Sequence, residues 1–260
     1  MVAGMRRITS SIAYFSKYLL ASGRLTMSVD LGFCSTHVLC NQQARLILES
    51  DGHLEAANLL EAYNQDIDVG ICWPDGGWGS IHHFYHPKTG EGYLGMTSAE
   101  VIFERFSQRA VKLWRRGSHE KAMFFLGAAT HLLQDLCEPH HSNCTCSMDH
   151  HRYEVWVQSH SHDYLVFNDG HYNKHQRLSD WLKECALRSY DLIELVNGKP
   201  DDAKYREATE ILLPFTQRAT AGFWLSFLEQ VGVIAGLKNI YYLDWKREFP
   251  SENRVAIAGK

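Results

Sequence analysis

Several features are scarce or missing in this chain of 260 residues. No apolar run reaches the ~18 residues that a membrane-spanning helix needs, so none is expected. Positive charge is not in excess: 26 Lys and Arg against 30 Asp and Glu leave a net charge of −4 with histidine neutral. That balance gives no electrostatic footprint for a nucleic-acid partner. GxSxG, P-loop and GxGxxG motifs are absent, which removes the usual serine-hydrolase, nucleotide and dinucleotide readings. No repeat of roughly 20–50 residues recurs, which excludes solenoids and propellers. Sustained alternation of the strand type is missing, so the expectation is one all-α domain. The seven cysteines are odd in number and do not resemble a disulfide framework. Cys144 and Cys146 form a CxC, but no second pair completes a zinc-ribbon spacing, and they read as loop cysteines without a ligand role.

What the chain does have is apolar mass and histidine. Hydrophobic residues make up 45%, enough for a sizeable core, and most of the 15 histidines fall between positions 82 and 175. The densest stretch is 123–154, MFFLGAATHLLQDLCEPHHSNCTCSMDHHRYE. His131 and Asp135 are four apart, and so are His150 and Glu154. On an α-helix such residues share a face, so each pair can close on one metal ion. Between them Pro139 ends the first helix and lets a further imidazole, from His140-His141, turn back. The first pair sits in an apolar run (Met123 to Leu126, Ala128, Ala129, Leu132, Leu133), where an unpartnered His and Asp would be costly. A solvated His-rich surface does not fit that setting. Two clamps and a loop histidine fit a site for more than one metal.

Periodicity predicts helices over 35–50, with Ser35 or Thr36 as cap and His37 in the first turn, and over 53–68. Residues 69–95 are rich in Gly and aromatics and read as a long functional loop carrying Asp75, His82, His83 and His86. Thr97 or Ser98 opens a helix with Val101, Ile102, Phe106, Ala110, Val111 and Trp114 inward, closed by Arg115-Arg116-Gly117. Ser118 caps the helix of the first clamp, and a helix from near Met148 carries the second. Residues 159–175 read as irregular, followed by helices over 179–196, 201–213 and 214–234. Carboxylates and imidazoles without fixed thiolates suit Zn²⁺ in an open site, and several close metals suit phosphate ester hydrolysis. Asp75, in the aromatic loop, is the candidate to position or deprotonate water. Asp149 competes, but lies on another side of the helix that carries His150.

The order of these residues resembles a known family. A lone His37, Asp75 in YNQDIDVGICWPD, His83-Phe84-Tyr85, HxxxDxxxxxH (His131, Asp135, His141), HxxxE (His150, Glu154) and Thr220-Ala221-Gly222-Phe223 are similar to the bacterial zinc-dependent phospholipases C, the phosphatidylcholine-hydrolysing enzymes and the alpha-toxin catalytic domain. The match spans roughly 34–230. It implies an all-α, single-domain multi-helix bundle with three zinc ions in a cleft, and a phospholipid substrate taken at a membrane surface. By resemblance, His83, His131 and Asp135 would hold one zinc, His141, His150 and Glu154 a second, and His37 with bridging Asp135 a third, while Asp75 orients or activates water. No nucleic-acid partner is implied.

Two departures accompany the match. The family completes its third zinc site with the backbone of an N-terminal Trp exposed by cleavage. Here that position is Arg24, and the first Trp is Trp73. Residues 1–23 outline a leader (Arg6-Arg7, then Ile8 to Leu20, then Ala21-Ser22-Gly23), yet they equally form an amphipathic helix with Ile8, Ile12, Phe15 and Leu19 on one side. Cleavage after Gly23 would expose Arg24; without it, a side chain such as Asp30 would complete the site or leave it empty. The family implies a secreted or periplasmic protein, and the weak leader leaves a cytoplasmic one open. The second departure is the choline box, whose acidic and aromatic positions fall at Met27, Gly76 and Ser80. Trp73, Trp78 or Tyr85 are candidates to replace it. The expected layout is a leader or extra helix over 1–23, a phospholipase C-like domain over 24–245 and a loose tail over 246–260, with no room for the β-sandwich that alpha-toxins append. The rival readings are an S1/P1-type zinc nuclease, which ends its run in HxxxD rather than HxxxE, and an inactive metal-binding relative.

Overall fold

The computed structural model describes residues 34–172, 175 and 177–234, so the readings placed on 1–33 (Arg24, Met27 and Asp30 included) and on the tail beyond 234 lie outside the described residues. The helix α5 (His119–Asp135) runs through the middle, and every residue from Ala122 to Asp135 is buried. A helix apolar all round has to be surrounded. Its most extensive neighbours are α3 (Asn64–Cys72) and α4 (Ala99–Arg115). α3 and α5 approach backbone to backbone because each offers a glycine: a Cβ on Gly70 would strike the Phe124 carbonyl, and one on Gly127 the Ile67 carbonyl. α4 buries the stripe Ala99, Phe103, Ser107, Ala110 and Val111, and its end is turned by Gly117 at φ 76°.

α1 (Ser35–Ser50) packs on the long α10 (Asp202–Gln230) and on α2 (Leu54–Ala62). The short α6 (Pro139–Ser142) leads to α7 (Met148–His160), and α8 (Ser179–Tyr190) and α9 (Ile193–Val196) complete the bundle. One large core joins Phe103, Leu126, Trp181, Phe223, Trp224 and Phe227. No strand occurs among the described residues, as expected. Nor is any described helix long and apolar enough to cross a membrane.

The structure departs from the sequence reading at several places. The second helix breaks at Tyr63 into α2 and α3, and α3 continues to Cys72, so the loop starts later than expected. Within that loop Gly77–His82 and Tyr93–Gly95 are 3₁₀ turns. The segment read as irregular contains a 3₁₀ turn, Ser161–Tyr164, and the helix expected over 179–196 is interrupted between Tyr190 and Ile193. Val101 faces solvent, and Phe103 takes the inward position. The helices expected on either side of Pro214 are one: α10 passes straight through it. A proline removes one N–H and leaves the carbonyl four residues back unpaired; that is Glu210, which is exposed to water. The buried Leu212, Leu213, Phe215 and Thr216 hold the helix together across the gap.

Neither Ser35 nor Thr36 caps α1. Cys34 occupies the cap position, and Ser35 Oγ accepts instead from Gln158 Nε2 at 2.8 Å. Cys34 is disulfide-bonded to Cys72, against the expectation of no disulfide pattern. A single bond across 38 residues leaves no recognisable spacing in the sequence. Cys144 and Cys146 are free thiols.

Candidate metal centre

The residues of the first clamp reach the site because α5 is buried and ends where it does. His131 and Asp135 are 1% and 6% exposed. After Leu136 the chain turns at Glu138, an N-cap in extended conformation with Pro139 at the first helical position. The Glu138 carboxylate accepts from the backbone N–H of His140 (2.8 Å) and His141 (3.0 Å), and its other oxygen lies 2.6 Å from His140 Nδ1. This cap swings His141 back over the end of α5 and commits His140 to the turn. Ser147 caps α7 through the N–H groups of Asp149 and His150, which aims His150 and Glu154 along one face. His83 follows the 3₁₀ turn, and the next strand of loop is pinned by Tyr85 N–H donating to His141 O at 3.2 Å. His37 enters from the first turn of α1.

These side chains converge, and three groups of donors lie close enough to hold an ion: Asp75, His83 and His131; His37, His131 and Asp135; and Glu138, His141 and His150. His83 Nδ1 and His131 Nε2 lie 2.9 and 3.2 Å from Asp135 Oδ2 and 3.3 Å from each other. His141 Nε2 and His150 Nε2 are 3.0 Å apart, and Glu154 Oε1 is 3.5 and 2.9 Å from them. His37 Nε2 is 3.4 Å from Asp135 Oδ1, the other oxygen of the same carboxylate. Glu138 Oε2, which the sequence reading did not include, stands 3.7 Å from His150 Nε2. Donors held at 2.0–2.1 Å around a tetrahedral ion are about 3.3 Å from one another. The observed separations match that shape. Facing imidazole nitrogens at 3.0 and 3.3 Å need either a shared proton or a cation between them. Asp135 Oδ2, although buried, accepts no well-directed hydrogen bond. The donors therefore fit shared cations better than a hydrogen-bond network.

The electrostatics agree. Burial alone would lower His131, but Asp135 and Asp75 raise its pKa well above the usual histidine value. Burial would raise Asp135 and Glu154, yet His131 and His141 hold the first, and His141 and His150 the second, well below the carboxylate range. His37 and His83 are lowered, by burial first. In the metal-free chain a proton and a metal ion therefore compete for His131.

Asp75 sits at the edge of the first group, with Oδ1 3.2 Å from His131 Nε2 and 3.7 Å from His83 Nδ1. Unlike Asp135 it is open, 44% exposed at the side chain. Burial would raise its pKa, but His131 lowers it on balance. Asp149 is used elsewhere, pairing with Arg152 and accepting from Gly198 N–H. His82 contacts Thr97 O, and His86 shapes its own turn, so neither reaches the centre. The donors line a cleft of about 570 Å³, whose lining also includes the apolar Val155, Val157, Leu212 and Leu213. Gly76 and Ser80 line the cleft as well. Trp73 and Tyr85 do not: Trp73 packs on Phe106, Phe124 and Phe125, and Tyr85 belongs to the core, so neither supplies a box for a head group. Gln134 was not singled out in the sequence, and a lone amide on a helix carries no motif that would have found it.

Several known proteins are similar to this chain. A phospholipase C of Listeria monocytogenes is 28% identical over 183 residues, 64% of this chain and 63% of that protein. A phospholipase C of Clostridium perfringens is 26% identical over 235 residues, 75% of this chain and 59% of that protein. The chain thus spans about three fifths of the length of these relatives. Among solved structures, the alpha-toxin of an avian strain of Clostridium perfringens (TM-score 0.66, 23% identity) and that of Clostridium absonum (TM-score 0.68, 22% identity) each align over 76% of this chain and 64% of the toxin, and show the same fold. The sequence model of zinc dependent phospholipase C matches residues 36–209, from the turn that carries His37 into the first third of α10 and across every group of donors described above. With most of its length matched and the donors of the motif brought to one cleft, the chain belongs to the zinc-dependent phospholipase C family.

Proposed function

We propose that this chain is a zinc-dependent phosphodiester hydrolase, a phospholipase C that cleaves a phospholipid into diacylglycerol and a phosphorylated head group. The observation that carries the reading is the set of three converging donor groups, one of which includes the open carboxylate of Asp75, lining a half-apolar cleft. In this reading His83, His131 and Asp135 hold one zinc, His141, His150 and Glu154 a second, and His37 with the shared Asp135 a third. Bound zinc supplies Lewis acidity to the phosphoryl oxygens and lowers the pKa of water. Asp75 Oδ1 faces that space from the solvent side and is kept ionised by His131, so it can orient a water and accept its proton as oxygen adds to phosphorus. Val155, Val157, Leu212 and Leu213 receive the glycerol end and the first acyl carbons of the leaving diacylglycerol. The Cys34–Cys72 disulfide supports export to an oxidising compartment, where such bonds persist.

The test measures zinc per chain together with hydrolysis of a p-nitrophenyl phosphodiester, of phospholipid vesicles and of single-stranded DNA, for the wild type and Asp75→Asn. The expected result is phospholipid cleavage by the wild type, zinc retained in both, and a rate lower by roughly 10²–10⁴-fold in the variant. Preference for DNA would make the chain a nuclease on the same scaffold. Equal inactivity of both proteins with zinc bound would leave a metal-binding relative without catalysis.

A further inference from the structure

His37 reaches the centre from α1, and something has to decide which of its ring nitrogens faces Asp135. We propose that a buried hydrogen-bond relay, Asp68–Asn41–Gln134, places the proton of His37 on Nδ1 and so presents the Nε2 lone pair to Asp135. The inference rests on the reading that His37 is a metal ligand.

A glutamine can turn either its oxygen or its nitrogen toward a neighbour, and the partners decide which. The relay begins at Asp68 on α3. Its carboxylate faces Asn41 at 2.9 Å, so Asn41 offers Nδ2 to it. The Asn41 oxygen is therefore turned the other way, toward Gln134 Nε2 at 3.2 Å. A second constraint comes from α10. Thr220 Oγ1 gives its only proton to Thr216 O at 2.8 Å and is left as an acceptor for Gln134 Nε2 at 3.1 Å. Both constraints send the Gln134 nitrogen the same way. Its oxygen is left facing His37 Nδ1 at 2.8 Å.

An oxygen at that distance needs a donor, so Nδ1 carries the hydrogen. In a neutral imidazole the lone pair then sits on Nε2, 3.4 Å from Asp135 Oδ1. Two acceptors face each other there, an arrangement that a cation satisfies. Asn41 and Thr220 are fully buried and Gln134 is 5% exposed, so water does not replace a missing member. Turning Gln134 over would bring its oxygen against that of Asn41 and would aim the wrong tautomer at the centre. Partners of this kind typically tune the affinity of the ligand they hold by 10–100-fold.

The experiment measures zinc affinity by chelator competition, and the melting temperature of the metal-free protein, for the wild type, His37→Ala, Gln134→Leu and Gln134→Glu. His37→Ala marks the zinc ion that depends on this histidine. Gln134→Leu is expected to weaken the same ion by roughly 10–100-fold, and Gln134→Glu, which keeps an oxygen at Nδ1, to hold it within about threefold of wild type. A purely structural Gln134 would lower both metal-free melting temperatures and leave zinc affinity unchanged, which overturns the relay. If His37→Ala leaves every zinc affinity intact, the ligand reading itself fails, and the two failures are distinguishable. ¹⁵N-histidine spectra of the zinc-loaded wild type, assigned with His37→Ala, give the answer without any Gln134 variant. A protonated Nδ1 with metal-bound Nε2 supports the relay, and the reverse tautomer sinks it.

Discussion

Two clusters in this molecule are built from the same residue types, and only one resembles a metal site. In the cleft, His37, His83 and His131 crowd around the two oxygens of Asp135 and are aimed at shared points. At the foot of α8, His171 and His175 meet Glu184, but each ring Nε2 takes its own oxygen, at 2.6 and 2.7 Å. That second cluster is satisfied as it stands. Among the described residues it does not form a group of converging donors, whereas the cleft forms three. Its neighbours explain its purpose. Asp51, just past α1, accepts from Asp169 N–H, Gly170 N–H and Tyr172 O–H, and Glu184 fastens the next residues of the same segment to α8. A count of histidines and carboxylates does not separate a centre from a fastening; what separates them is whether the donors have partners of their own or lack them.

The contrast is broken hardest at the shared carboxylate. Asp135→Ala removes the carboxylate whose two oxygens face the His83–His131 pair and His37. More than one zinc ion should be lost per chain, and phosphodiester hydrolysis should fall by more than the roughly 10–100-fold that hydrogen-bond partners of ligands are worth. Elemental analysis and a rate assay check this. Full zinc content in the variant would mean that the cleft, like the foot of α8, is a hydrogen-bond cluster.

The next largest effect concerns how the edge of the cleft is held. His37 comes three residues after Cys34 and Asp75 three after Cys72, so one disulfide fixes the approach of both. Replacing both cysteines with serine releases a loop of 38 residues, which the chain-entropy account values at about 4 kcal/mol. The melting temperature should fall, and zinc bound through His37 should weaken before zinc bound through His141 and His150. Equal weakening of all sites would show that the bond supports the whole bundle and not this edge.

These two cases also show what the sequence could carry. His131 with Asp135 and His150 with Glu154 are legible because helical spacing alone puts each pair on one face, and α5 and α7 kept that promise. Pro139 signalled locally that an imidazole turns back, and resemblance chose His141 over His140; His37 and His83 could be placed only by resemblance, since nothing local brings residues 37 and 83 beside 135. The disulfide and Gln134 were invisible for the same reason: their partners lie 38 and 97 residues away. Pro214 misled in the other direction. It carries a strong local signal, and the tertiary packing of α10 overrides it. Tyr63 gives no breaker signal, yet the chain turns there so that α3 can bring Gly70 against α5.

A smaller effect concerns proton binding in the cleft. In the metal-free chain burial would lower His141, but Asp135, Glu154 and Glu138 raise it to about 9 from 6.5. The folded chain therefore holds this proton more tightly than the unfolded one. The stabilisation is full below the unfolded value and is lost as pH rises through 9; the shift corresponds to at most about 3 kcal/mol. Melting of chelated protein should drop between pH 6.5 and 9, and His141→Gln should flatten that slope. Zinc, by occupying the nitrogen, should flatten it too. A slope that persists in the variant would assign the titration elsewhere.

The smallest effect is expected at the foot of α8, and it tests the contrast from the other side. Glu184→Gln keeps one oxygen for one of the two histidines and turns an amide nitrogen toward the other. That ring can answer by shifting its proton to Nδ1, so part of the fastening survives. The three side chains are about a fifth to a quarter exposed, and water can take up some of what is lost. A cost of about 1 kcal/mol is expected, as for a typical net hydrogen bond. Zinc content and hydrolysis should match the wild type, because no donor in the cleft depends on this carboxylate. If zinc falls with Glu184→Gln, the two histidines bind metal in solution despite their separate partners, and convergence of donors is not the feature that divides these clusters.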